Sequence, residues 1–348
     1  MKELFQDISW QEIASLQMKG EHTLIDVRSP SEYAAATIPG SINIPVFDDE
    51  ERAEIGTLYK QESPEIAKQR GVEIVSAKLP EFIKAFQAID TDKTVFCWRG
   101  GMRSKTAATM VDLMGIKVNR LQGGIRSYRQ WVVDTLETFS FAPEAIVLNG
   151  YTGAGKTIIL EELEKDGYAI LDFEKMANHR GSIFGQIGLE PNKQKKFDSL
   201  LLHQLLKTQE EPYVVMEAES KRIGRVTLPD FMVEKKENGT HVFIDIPIEE
   251  RVRNILDDYQ PWNHHEEALE AFKRIKRRIH TPVAADIEKA LHKADFSEAV
   301  LLLLEYYYDP LYTYSANKHD NFTIHAESTE EAIPLVKEYL SRKEVYQN

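Results

Sequence analysis

Cysteine is nearly missing from this sequence: Cys97 is the only one among 348 residues. A single thiol excludes an internal disulfide and suits a reducing compartment. Long apolar runs are missing as well. The longest, residues 299–304, is far too short to span a bilayer, so no membrane association is expected. Residues 1–10 lack the basic-then-apolar order of a secretory signal, which makes the cytoplasm the expected location. There is no excess of positive charge. The 43 Lys and Arg against 56 Asp and Glu leave a net −13, which argues against indiscriminate binding of polyanions but leaves room for a local basic face. Histidine and cysteine do not recur at metal-ligand spacing, and His264-His265 have no further ligands nearby, so no metal site is certain. No internal repeat or low-complexity tract is present.

What is there divides into two halves, and the length suits two real cores. In the first half, short apolar runs at Thr23 to Val27, Ile42 to Pro45, Thr94 to Cys97 and Val118 to Leu121 read as strands. Helical stretches alternate with them: Ser31 to Ala36 opened by Pro30, Leu79 to Ala88, Lys105 to Leu113, and one containing Trp131. Such alternation predicts a mainly parallel sheet. Turn formers and polar residues from Asp134 to Pro143 predict a junction, giving domains of 1–138 and 139–348.

Cys97 stands at the end of one of these strands, before Trp98-Arg99-Gly100-Gly101-Met102-Arg103-Ser104 and a helix. A strand that stops at a cysteine and turns through Gly100 and Gly101 into a helix aims backbone N–H groups at the sulfur. With Arg99 and Arg103 added, the turn favours an anion, so a reactive thiolate within reach of a ligand is expected. The alternative is a buried cysteine serving as apolar filler.

The second half opens with the apolar strand Ala145 to Leu148 and then Asn149-Gly150-Tyr151-Thr152-Gly153-Ala154-Gly155-Lys156-Thr157, followed by a helix from Ile158 to Lys165. This is a complete Gly-x4-Gly-Lys-Thr loop in the strand–helix setting it needs. Gly150, Gly153 and Gly155 let backbone N–H groups surround a phosphate, Lys156 adds a charge, and Thr157 can hold Mg²⁺ or another phosphate oxygen. Three more strands end at acids: Tyr168 to Leu171 at Asp172, Tyr213 to Met216 at Glu217, and His241 to Ile244 at Asp245. Asp172, Glu217 and Glu219 are candidate acidic or metal-holding residues. The alternative for Glu217 and Glu219 is a cap on the helix after the strand.

Several stretches of the first half resemble the rhodanese domain: residues 24–33, Ile38-Pro39-Gly40-Ser41-Ile42-Asn43-Ile44-Pro45, the Cys97 loop, and Leu121-Gln122-Gly123-Gly124-Ile125 with Trp131. The common Gly-His of that family is Ala36-Thr37 here. The resemblance implies that Cys97 carries a persulfide or its selenium equivalent. The spacing from Cys97 to Arg103 also matches dual-specificity phosphatases, in which the arginine grips phosphate. Residues 244–251 resemble an element of small P-loop kinases. The fold class expected is therefore α/β throughout: an N-terminal rhodanese-like domain with a central parallel sheet, then a C-terminal P-loop kinase-like three-layer domain.

Three further stretches extend the resemblance to the whole chain. They are Leu171-Asp172-Phe173-Glu174 leading to His179-Arg180-Gly181-Ser182-Ile183-Phe184-Gly185, Glu217-Ala218-Glu219-Ser220-Lys221-Arg222-Ile223-Gly224, and Tyr307-Tyr308-Asp309-Pro310-Leu311-Tyr312. With them the sequence resembles the tRNA 2-selenouridine synthase family. The resemblance implies exchange of sulfur for selenium at C2 of wobble 2-thiouridine in the tRNAs for Lys, Glu and Gln. Selenophosphate would be the selenium donor, with an enzyme supplying it as a possible partner. An S-geranyl intermediate made from geranyl diphosphate is also implied. Residue alternatives remain. Trp98 stacks on the extruded base or packs its own loop. His179 and Arg180 face the phosphate site or anchor a loop. Lys273, Arg274, Lys276, Arg277 and Arg278 follow an anticodon stem or form a solvated helix face, with Lys193 to Lys196 and Lys221, Arg222 and Arg225 as further basic runs. Competing functions are a small-molecule sulfurtransferase or phosphatase fused to an ATP-dependent kinase, and a binding module.

Overall fold

The computed structural model describes residues 5–17, 22–311 and 322–347. Tyr312 of the last stretch above lies outside the described residues. The chain separates into two compact units, the first ending at Phe139 and the second starting at Ser140, with residues 198–200 grouped with the first.

The first unit is built on strands β1 (Gln6–Ile8), β2 (His22–Asp26), β3 (Ile42–Asn43), β4 (Asp92–Phe96) and β5 (Asn119–Leu121). They form one sheet in the order β1-β5-β4-β2-β3, and every pairing is parallel. Helices α1 (Trp10–Gln17), α2 (Pro30–Ala35), α3 (Asp49–Gln61), α4 (Pro64–Gln87), α5 (Met102–Leu113) and α6 (Gly124–Thr138) connect them. Buried Val95, Cys97, Ala107, Val111 and Phe86 belong to one apolar cluster, so one face of β4 packs against α4 and α5. Asp26, at the end of β2, is fully buried and held by Arg28 at 2.6 Å. Thr37 donates to the same carboxylate at 2.8 Å, so the Ala36-Thr37 departure from the rhodanese pattern keeps this acid satisfied.

The second unit contains β6 (Glu144–Gly150), α7 (Lys156–Lys165), β7 (Ile170–Leu171), α8 (Phe173–Ala177), α9 (Gln194–Thr208), β8 (Tyr213–Glu217), the short antiparallel pair β9 (Arg222–Ile223) and β10 (Val226–Thr227), α10 (Asp230–Glu237) and β11 (Thr240–Asp245). Then come α11 (Ile248–Tyr259), α12 (His265–Ile275), α13 (Thr281–His292), α14 (Phe296–Leu303), β12 (Phe322–His325) and α15 (Thr329–Gln347). Its main sheet, again wholly parallel, runs β12-β11-β6-β8-β7. The two α/β sheets match the fold class expected. In each, the middle strand carries the glycine turn: β4 ends at Cys97 and β6 at Gly150. That places both turns at the carboxyl edge of a parallel sheet, where open α/β sheets take their ligands.

Several boundaries differ from the sequence expectation. The junction is shorter than residues 134–143, because α6 continues through Asp134 to Thr138. The helix expected from Leu79 starts at Pro64 and runs through Pro80, whose ring it tolerates. Ser63 caps it by accepting from the N–H of Ile66 at 3.2 Å. The helices α12 to α14 share an apolar cluster of their own around Phe272, Ile287 and Phe296; nothing in the sequence reading assigned that subdomain.

Candidate functional site: two glycine turns

The Cys97 turn is held from below. The carbonyls of Cys97 and Trp98 accept from the N–H groups of Ile125 and Arg126 at 2.9 and 3.2 Å. Gly124 sits at φ +64, and a Cβ there would run into the carbonyl of Cys97 and the N–H of Gly100. The Gly123-Gly124 pair is therefore the floor on which the turn lies. Ser104, fully buried in the first turn of α5, places its Oγ 3.2 Å from Cys97 Sγ.

Accessibility departs from expectation. Cys97 is only 3% exposed. Its sulfur lies in the core cluster, while Trp98 (44% exposed), Arg99, Gly101 and Met102 face solvent. The cause is local: β4 is the middle strand of its sheet and is buried on both faces from Lys93 onward, and Cys97, the residue directly after it, keeps its side chain in that core. The arginines also differ from a ready anion clamp. Arg103 is bonded by both terminal nitrogens to Glu32, and Arg52 adds a second cation 3.6 Å from that carboxylate. Burial acts to raise the pKa of Glu32, but the hydrogen bond and charge of Arg103 outweigh it and hold the carboxyl below its usual range. Arg120, which the sequence reading passed over, is the additional cation here. It donates to the carbonyl of Gly100 at 3.1 Å and pairs with Asp7 at 2.6 Å.

The phosphate-type turn is built by close approaches. Gly155 has φ +74, and a Cβ on it would strike the Thr329 side chain at the start of α15. Asn254 of α11 ties the two together, donating to Gly153 O at 2.9 Å and to Thr329 Oγ1 at 2.8 Å. Arg251, paired with Asp309 at 2.6 Å, lies over the Tyr151 ring. Among the described residues Lys156 has no carboxylate within ion-pair distance, though its charge reaches Glu174. Its Nζ rests on the carbonyls of Gly150 and Tyr151, 3.1 and 3.4 Å away. Both acceptors are uncharged, so an arriving phosphate, an anionic acceptor, can replace them.

Acids line the far side of that turn. Asp172 caps α8, accepting from the N–H of Lys175 at 2.8 Å. Glu217, 1% exposed, accepts from the N–H of Glu174 at 2.7 Å, so it caps α8 rather than any helix that follows its own strand. The carboxyls of Glu174 and Glu219 converge on Gly181, where a Cβ would lie 2.6 and 2.5 Å from them. Burial, then neighbouring negative charge, raises the pKa of Glu174 to about 8, and burial raises Asp172 to about 6. Glu217 is raised well above the carboxylate range by burial and by Asp172. Glu174, which also accepts from Thr157 Oγ1 at 3.3 Å, is the site residue the sequence reading did not single out. Among the described residues no cluster of three or more His, Cys, Asp or Glu has metal-site geometry.

Comparison with known proteins now decides the family. Residues 9–130 match the rhodanese-like domain, and residues 143–345 match the tRNA 2-selenouridine synthase AAA domain. A tRNA 2-selenouridine synthase of Sulfurovum sp. (strain NBC37-1) is 32% identical, with 91% of this chain and 94% of the relative covered. Its counterpart in Bdellovibrio bacteriovorus is 32% identical over 83% of this chain and 87% of its own. The one in Nitrosomonas europaea is 36% identical over 68% and 63%. The chain belongs to the tRNA 2-selenouridine synthase family.

Within that family frame, the remaining sequence candidates fall differently. Arg180 is engaged as a loop anchor. It pairs with Asp258 at 2.8 Å, donates to the carbonyls of Ile187 and Asp258, and stacks on Tyr259. His179 is 8% exposed, wedged against Gly185 and Gly224, and its pKa is lowered by burial and by Arg180. In the basic run, Lys273 and Lys276 are paired with Glu270 and Glu288 at 2.5 and 2.6 Å. Arg274, Arg277 and Arg278 are exposed at the end of α12 and in the 3-10 turn that follows. No helix among the described residues is long and apolar enough to cross a membrane.

Proposed function

We propose that the protein replaces sulfur by selenium at C2 of the wobble 2-thiouridine of tRNA, in two steps assigned to the two turns. What carries this reading is a chain of the tRNA 2-selenouridine synthase family that keeps both a complete phosphate cradle and an intact cysteine turn.

In the first step the thiocarbonyl sulfur attacks C1 of geranyl diphosphate. The allylic C–O bond breaks, diphosphate leaves, and the uridine N3–H proton is released, giving S-geranyl-2-thiouridine. Charge builds on the departing diphosphate. The loop from Gly150 to Gly155 with Lys156 and Thr157 is suited to stabilise it, and each well-aimed donor of this kind is worth about 10²–10³ in rate. The buried, proton-holding Glu174 and Glu217 do not repel that anion as ionised carboxylates would. If magnesium accompanies diphosphate, the Thr157 hydroxyl would hold it, Glu174 could join only after giving up its proton, and the ion would neutralise part of the leaving charge.

In the second step a selenium nucleophile derived from selenophosphate attacks C2 and expels geranylthiol. Water takes the phosphoryl group, and two protons end on N3 and on the thiol. We assign selenium handling to Cys97. With the sulfur buried, the bound tRNA base cannot touch it directly while the turn stays as it is. The selenide that this hydrolysis frees, its selenium unchanged in oxidation level, would be held against the turn beneath Trp98 and Arg99 with no bond to the sulfur formed. Arg99 is exposed and available for selenophosphate, whereas Arg103 would first have to leave Glu32.

The deciding experiment is nucleoside mass spectrometry of thiolated tRNA for Lys, Glu or Gln after incubation with geranyl diphosphate and selenophosphate, without ATP. The expected products are geranylated and selenated wobble uridine. A requirement for ATP, or phosphorylation of a metabolite with neither tRNA product, would favour the sulfurtransferase–kinase alternative.

A further inference from the structure

Beside the phosphate-type turn lies a narrow cleft of about 60 Å³ that opens to solvent. Thr152 of the turn forms one wall, and Ile255, whose side chain also packs on Gly153, continues from it. Phe184, Phe296, Val300 and Leu303 supply much of the rest. The surface is almost wholly apolar. Two of its few polar groups, the hydroxyls of Ser182 and Tyr259, are engaged with each other at 3.1 Å. A nucleoside next to a diphosphate needs hydrogen-bond partners for base and ribose, and leaving its polar edges unpaired in such a lining costs binding. A branched hydrocarbon has no such need.

We infer that this cleft takes the hydrocarbon chain of a prenyl diphosphate whose diphosphate occupies the Gly150–Thr157 turn, and that Phe184 and Val300 select for chain length. The inference rests on the geranylation step proposed above but is tested apart from it. The polar head is fixed by the turn and the chain runs from Thr152 along Ile255 into the cleft. Affinity therefore comes from two separable parts. One is shared with inorganic pyrophosphate, and the other grows with each isoprene unit buried.

The test is calorimetric titration of the full chain, without tRNA, with pyrophosphate, dimethylallyl diphosphate, geranyl diphosphate and ATP. Geranyl diphosphate should bind at least about 100-fold more tightly than pyrophosphate, with dimethylallyl diphosphate in between and ATP no tighter than pyrophosphate. Val300→Trp should fill the cleft and bring geranyl diphosphate close to the pyrophosphate affinity, while pyrophosphate itself is unchanged; that unchanged value also shows that the variant has folded. Phe184→Ala, which removes bulk instead of adding it, should lower the geranyl preference about tenfold on the same footing. Equal affinity for geranyl diphosphate and pyrophosphate, or a geranyl preference that survives both variants, overturns the inference. Wild-type protein that still forms geranylated tRNA under that outcome would leave the proposed function standing. Chain-length-dependent binding with no tRNA product would have the opposite effect.

Discussion

The two glycine turns share a plan and differ in how their cations are held. Each follows the middle strand of a parallel sheet and enters a helix, at Met102 in one and Lys156 in the other. At the cysteine turn, Arg103 is bound to Glu32 and Arg120 to Asp7, so an arriving anion must compete with carboxylates. At the phosphate turn, the hydrogen bonds of Lys156 among the described residues go to neutral carbonyls, and burial favours the protonated forms of nearby Glu174 and Glu217 despite the charge of Lys156 on Glu174. The second turn is preorganised for an anion of high charge. At the first, Arg103 and Arg120 are held in check by carboxylates.

The contrast can be broken most sharply at Lys156. Lys156→Ala should lower geranylation by about 10³-fold while tRNA supplied already geranylated is selenated at the normal rate, both followed by nucleoside mass spectrometry. Comparable loss of both rates would mean that the turns are not separate devices. Next in size, Cys97→Ser should leave geranylation within about twofold and reduce selenation by about 100-fold or more. Reducing both equally would point to a folding or tRNA-binding defect. A smaller effect is expected from Arg277→Glu combined with Arg278→Glu. Affinity for tRNA should drop about tenfold at low salt, and the slope of log affinity against log salt should flatten by about two. An unchanged slope would remove that surface from the RNA interface.

The mildest effect concerns pH. Glu174 keeps its proton in the folded protein up to about 8 but would lose it near 4.5 when exposed. Between those values the unfolded chain binds fewer protons than the folded one, so folded stability declines as pH rises through the window. Above about 8 the newly formed carboxylate faces the diphosphate turn, and pyrophosphate affinity should fall a few-fold by pH 9. Glu174→Gln should abolish that fall and flatten the stability decline. Titrating pyrophosphate between pH 7 and 9, together with denaturant unfolding across the lower window, checks both.

Much of this arrangement was legible in the residues. The Gly-x4-Gly-Lys-Thr spacing and the strand before it specify a phosphate turn without help from distant parts of the chain, because the motif, its strand and its helix are contiguous. Partners that meet across long sequence separations were not legible. Glu32 lies 71 residues from Arg103, and Thr329 lies far from the Gly155 it constrains. The meeting of Glu217 with the N-terminus of α8 depends on β7 pairing with β8. Likewise, periodicity shows that α12 to α14 are amphipathic, but not that their apolar faces close a cleft beside Thr152.

The sequence by itself determined the two α/β sheets, the place of each glycine turn at a strand end, and the residues contiguous with each turn, though not Arg120 or Glu174. Those features follow from local backbone freedom and from apolar alternation along a few residues. Only the tertiary structure decided that Cys97 is nearly sealed, that Arg103 and Arg180 are already engaged, and that the acids beside Lys156 retain protons. Burial and charge pairing depend on which distant segments pack together, and one-dimensional spacing does not encode that distance.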